Sequence, residues 1–147
     1  MSRASTYALM SVFEDTLNMR IEVSFEEALG FFSLLRSYNQ LEGARVHELL
    51  HAIDDAIPRT AYPDTAAGAN PNNGKRAYSI CVGREGSPVL YIKRYVHEKE
   101  DPLPTERVRL IKRAARKALA DEIDYEMEDV GIPGYGVRIE QFRFWWD

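Results

Sequence analysis

The chain has 147 residues, 45% apolar and 29% charged, the composition of one ordinary globular domain that can bury a core without metal or disulfide staples. Its 19 Lys and Arg stand against 23 Asp and Glu, a net charge of -4, which opposes a dedicated sequence-independent nucleic-acid binder because such affinity comes from neutralising phosphates. The single cysteine, Cys81, excludes an intrachain disulfide, and no stretch has the run of ~20 apolar residues that spans a bilayer, so the expectation is one cytoplasmic domain, 1–147, with no membrane contact.

Residues 6–13 (TYALMSVF) are apolar on both faces and fit a buried strand, although pattern alone leaves a helix open. Residues 17–23 alternate: Leu17, Met19, Ile21 and Val23 fall on one side, Asn18, Arg20 and Glu22 on the other, which predicts a half-buried strand. Ser24 with Glu27 has the spacing of a capping box and opens a helix. Phe25, Ala28, Leu29, Phe31, Phe32, Leu34, Leu35 and Tyr38 make that helix apolar over more than half its circumference. Asn39 and Gln40 interrupt it. A second helix is predicted from about Leu41 to Ile57, with Val46, Leu49, Leu50, Ile53 and Ile57 as its core stripe.

Residues 58–76 are rich in Pro, Gly and Asn and predict a long loop, read as a mobile linker with a functional loop as the alternative. Residues 77–83 and 88–96 read as two strands joined by a short hairpin loop. From Thr105, taken as N-cap, to Val130 the apolar residues Val108, Ile111, Ala115, Leu119, Ile123, Met127 and Val130 step by three or four, which predicts one long helix stopped by Gly131 and Pro133. A final strand runs from Gly136 to Trp146. The order predicts an α+β fold of the ferredoxin-like β-α-β-β-α-β type, an antiparallel sheet of four or five strands with helices on one face. That fold carries many functions, so function must come from particular residues.

One motif suggests chemistry. His47-Glu48-Leu49-Leu50-His51 fits H-E-x-x-H, the spelling of zinc metalloproteases. Two histidines one turn apart can reach a single Zn²⁺, and the intervening glutamate can serve as general base on a bound water. Asp54 shares that helical face and is the candidate third ligand, His97 and Glu98 near the end of the hairpin being the alternatives, with Glu48 as the catalytic group. The plain alternative is that these residues form the solvated face of an amphipathic helix, in which case no cofactor is needed.

The second signal is charge. In the predicted 105–130 helix, Arg107, Arg109, Lys112, Arg113, Arg116 and Lys117 fill the first half, and six acids from Asp121 to Asp129 fill the second. That polarity opposes the helix dipole and is unfavourable by about 2 kcal/mol in isolation. Something should offset it: a second copy lying antiparallel, a phosphate-bearing or acidic partner on the basic half, or, within the fold, neutralisation by Glu98, Glu100 and Asp101 just upstream.

The third is the hairpin. Leu90, Ile92 and Val96 point one way, with Arg94 beside them; Tyr91, Lys93 and Tyr95 point the other and offer a stacking platform or an interface. Phe142, Phe144, Trp145 and Trp146 put aromatics on both faces of the last strand, which requires cover from a partner or from the chain itself.

Together these features predict a non-enzymatic interaction or regulatory protein, an inhibitor by analogy, that binds a macromolecular partner and self-associates as a homodimer. Its expected contact residues are Tyr91, Lys93, Tyr95, Arg109, Lys112, Arg113, Arg116, Lys117, Trp145 and Trp146. The first alternative is a small zinc-dependent hydrolase built on His47, Glu48 and His51. The second is a nucleic-acid-binding domain that combines the 107–117 bases with Tyr91, Lys93 and Tyr95.

Overall fold

The computed structural model describes residues 20–34, 37–38, 41–85, 87–97, 100–130 and 136–147. The strand expected at 6–13, the first half of that at 17–23, and the Gly131–Pro133 stop lie outside them. In chain order the elements are β1 (Arg20–Val23), α1 (Phe25–Leu34), β2 (Ser37–Tyr38), β3 (Leu41–Glu42), α2 (Gly43–Ala56), β4 (Ser79–Glu85), β5 (Ser87–His97), α3 (Thr105–Lys117), β6 (Glu122–Val130) and β7 (Val137–Trp145).

Five strands form one sheet in the order β1-β4-β5-β7-β6, every neighbouring pair antiparallel, and β2 and β3 form a separate small ribbon between α1 and α2. The fold is therefore α+β with an antiparallel sheet. A ferredoxin-like arrangement needs a crossover that brings two strands parallel. Here β4 returns antiparallel beside β1, so the described strands adopt a different order.

The register explains the core. Two apolar rows cross all five strands on one face: Val23, Ile80, Ile92, Phe142 and Tyr125, then Ile21, Val82, Leu90, Phe144 and Ile123. Against them pack Phe31 and Phe32 of α1, the Val46, Leu49, Leu50 and Ile53 stripe of α2, and Val108, Ile111 and Ala115 of α3. Helix α1 starts as its sequence predicts: the Glu27 amide donates to Ser24 Oγ at 3.0 Å and the Ser24 amide to Glu27 Oε1 at 3.4 Å.

The predicted 105–130 helix is two elements. Helix α3 begins at Thr105, with Pro104 rather than Thr105 at the cap, and ends at Lys117. The Leu119 amide bonds the Arg116 carbonyl at 3.0 Å, and the Ala120 amide reaches back to the Ala115 carbonyl at 3.2 Å. These are the two bonds of a Schellman stop, with Leu119 in the left-handed conformation at φ 62° where glycine is usual. Trp146 secures the break: it is fully buried, and its indole N–H donates to the Ala118 carbonyl at 2.8 Å. After the break, Ile123, Tyr125 and Met127 alternate with Glu122, Asp124, Glu126 and Glu128, the period of a strand.

The predicted charge conflict disappears with the single helix. Helix α3 carries Glu106 in its first turn and Arg116 and Lys117 in its last, the favourable sense for the dipole. Five of the six acids belong to β6, an edge of the sheet, and Asp121 lies just before it. An antiparallel helix-on-helix dimer, which needed both charge blocks on one rod, loses its basis.

Candidate functional site

The H-E-x-x-H residues are on α2 as expected, but their side chains serve different neighbours. His47 Nε2 lies 2.6 Å from the Leu29 carbonyl and 2.9 Å from Ser33 Oγ, which ties α2 to α1. The carbonyl can only accept, so this nitrogen carries the proton. His51 is exposed, its ring edge-on to Phe25 at 5.6 Å. Glu48 is exposed on the α3 side of the helix.

Asp54 is engaged elsewhere. Its Oδ1 accepts from Arg76 Nε at 2.9 Å and from the Tyr78 hydroxyl at 2.7 Å, and its Oδ2 from Arg59 at 3.1 Å. Arg76 also pairs with Glu26 at 3.1 Å and stacks 4.0 Å over the Phe25 ring. Burial pushes the Asp54 carboxyl up, but the Tyr78 and Arg76 hydrogen bonds and the two guanidinium charges outweigh it and hold it below the usual value. Burial and the bond to Asp54 push the Tyr78 phenol up. Among the described residues, His47, His51 and Asp54 do not converge, and no set of three His, Cys, Asp or Glu side chains is placed to hold a metal ion.

The basic residues do form a surface. Arg107, Arg109, Arg113, Arg116 and Lys117 are exposed on α3, Lys112 is half-buried with its ammonium 5.8 Å from the Tyr125 ring, and none of the six pairs with a carboxylate among the described residues. Arg107 instead donates to the Asp55 carbonyl at 3.3 Å. Between α2 and α3 runs a groove of about 430 Å³. Its floor is Leu49, Ala52, Ala56 and Ala114, with Leu110, 46% exposed, standing in it. Small residues on both helices leave that space open. One rim is basic (Arg107, Arg113, Lys117) and the other carries Glu48 and Asp55.

The opposite face of the sheet is divided. Lys93, Tyr95 and His97 follow one another on β5, as the alternation predicts, but Tyr91 is buried, with the Arg20 guanidinium 4.3 Å from its ring. This face and α3 lie on opposite sides of the sheet, so the bases and tyrosines that the nucleic-acid reading combined do not share a surface. Trp146 is hidden by its own chain. Trp145 is half-buried on the face away from the helices, because β7 is an inner strand flanked by β5 and β6. Cys81 is half-buried on the same face, and burial pushes its thiol up, away from the reactive thiolate.

Two features carry no motif in the sequence. Glu140, 1% exposed on the core face of β7, accepts from Arg94 Nε at 3.1 Å, from the Leu103 amide at 2.9 Å and from the Tyr125 hydroxyl at 2.7 Å. It fastens the segment before α3 to the sheet. The other is the 58–78 segment, which closes on itself instead of running as an open linker. The Thr60 amide and carbonyl bond Lys75 and Gly74 at 2.9 Å each, and the Asn73 side chain pairs with both backbone groups of Tyr62. Such self-packed loops are frequently functional. This one faces the end of β5 across a cleft of about 680 Å³. The only cue to it in the sequence is the density of Asn and Gly, which marks a turn-rich loop and not what lies opposite. Comparison with protein-family models, curated proteins and solved structures returns no match for this chain.

Proposed function

We infer that this chain is a non-enzymatic binding protein whose partner is an acidic amphipathic helix of another protein, laid in the groove between α2 and α3. The observation that carries the reading is the basic rim of the groove, Arg107, Arg113 and Lys117, which have no carboxylate partner among the described residues, beside an exposed Leu110 and an alanine floor. Apolar floor and charged rim are what a helix-in-groove contact uses: the floor supplies affinity, the rim orientation and on-rate. The acids of the partner helix face α3; the Glu48 and Asp55 rim disfavours acids on its other flank.

The test is an NMR titration of the full chain with an acidic amphipathic helical peptide, at low and at high salt. Shifts clustered on Ala52, Leu110 and Ala114, lost in Leu110→Asp and in Arg113→Glu, bear the reading out. No binding at low salt, or equal binding of a basic peptide of the same apolar pattern, overturns it.

Self-association is the narrower form of the same reading. The α3 cations lie on the helical layer, whereas Glu126 and Glu128 lie on the far face of β6, with no cation partner among the described residues. Opposite charges on opposite faces favour head-to-tail contact between copies over a two-fold dimer, in which like faces meet.

A further inference from the structure

We propose that the cleft between the 58–78 loop and the end of β5 binds a single phosphate-bearing aromatic ring, the chemistry of a nucleoside monophosphate. Strand β5 runs past β4: the pairing of β4 begins at Ser79 opposite Lys93, and Arg94–His97 pair only with β7. The loop stands where a longer β4 would be, and the space between them is the cleft of about 680 Å³.

Its walls carry the groups that such a ligand needs, together with one exposed carboxylate, Glu100, beside His97, which leaves the Lys93 side the more favourable for a phosphate. Tyr62 on the loop and Tyr95 on β5 are 49% and 66% exposed, two of the four most exposed large apolar side chains among the described residues, and both line this cleft. Exposed tyrosine faces are stacking surfaces for a planar ring. Lys93 and His97 flank Tyr95 on the same face of β5, each about 7 Å along the strand, comparable with the separation of a base from its own 5′-phosphate. Neither has a carboxylate partner among the described residues. Arg59 and Arg76 also line the cleft, held on its helical side by Asp54, and keep N–H donors to spare. The internal bonds of the loop hold Tyr62 in position, which lowers the ordering cost of binding.

The same face sets the size of the ligand. Lys93 is in line with Gln141 and Glu126, and Tyr95 with Ile139 and Glu128. The two unpaired acids therefore lie two strands away, about 10 Å, close to one Debye length at ~0.1 M salt. They repel a polyanion crossing the sheet but leave the loop side open to one phosphate. The cleft opens at the sheet edge where β4 ends, with Lys93 and Tyr95 on the face away from α3, and it shares no residue with the groove between α2 and α3, so it does not depend on the groove reading.

The experiment is calorimetric and NMR titration of the full chain with adenosine 5′-monophosphate, adenosine, inorganic phosphate and a short DNA single strand. The monophosphate is expected to shift residues 59–62, 76–79 and 93–97. Tyr95→Ala and Lys93→Ala should each weaken it about tenfold, with Lys93→Arg restoring binding and Leu110→Asp leaving it unchanged. Tyr95 and Lys93 have no place in the core, and thermal melts check that the variants stay folded. The proposal is overturned by no binding at millimolar monophosphate, by binding that survives both alanine variants, by inorganic phosphate binding equally well, or by a single strand binding far more tightly than the monomer.

Discussion

Glu140 shows how much a single buried group can organise here. Its carboxylate takes a charged guanidinium, a backbone amide and a phenol, so no partner at that point is left without a bond. Burial of an ion pair adds little by itself, but removing one member strands the other. Glu140→Ala leaves Arg94, 13% exposed, without its counter-charge and should cost about 3–5 kcal/mol in urea denaturation. Glu140→Gln, which still offers an acceptor oxygen, should cost less. Asp54 teaches the complementary lesson. A carboxylate beside two histidines on a helix reads as a metal ligand in the sequence, yet residues 59, 76 and 78 occupy its oxygens, and nothing local to α2 announces them.

At the scale of elements, the decisive event is the break after Lys117. Ile123 and Met127 are four apart, and a spacing of four fits both a helix face and a strand face. The residues that separate the two readings are Tyr125, which falls off the helical stripe and on the strand row, and the acids at every second position. No glycine marks the stop, because Leu119 takes the left-handed conformation itself. Leu119→Gly should therefore raise stability by up to about 1 kcal/mol, since a left-handed leucine is strained and a left-handed glycine is not. A glycine within a continuous helix would instead lower it by about 1 kcal/mol, so the sign of the change in urea midpoint tests the break directly.

At the scale of the molecule, sorting of charge between layers replaces sorting of charge along a rod. The helical layer is basic at α3; the far face is acidic along β6 and basic at the overhang of β5, with Arg20 over Tyr91 and Arg143 paired with Glu122 and Asp124 on the same face. Contact between α3 of one copy and β6 of the next predicts a mass that rises in light scattering as salt falls from ~0.1 M to ~0.01 M, where the screening length grows from about 10 to 30 Å. The rise should vanish in a Glu126→Lys, Glu128→Lys variant. A salt-independent monomer would remove self-association from the reading and leave the groove to a foreign partner. By itself the sequence determined what adjacent residues decide: the Ser24–Glu27 cap, the buried stripe of α2, the β4–β5 hairpin, the last strand, and the faces on which Lys93 and Tyr95 stand. These follow from side-chain period and from capping bonds three residues apart. Only the tertiary structure decided where 105–130 breaks, which carboxylates are occupied, and what the 58–78 loop confronts. Each of those depends on a bond between distant segments, Trp146 to Ala118, Asp54 to Arg76 or Glu140 to Arg94, whose competing local pattern is equally well formed until the partner arrives.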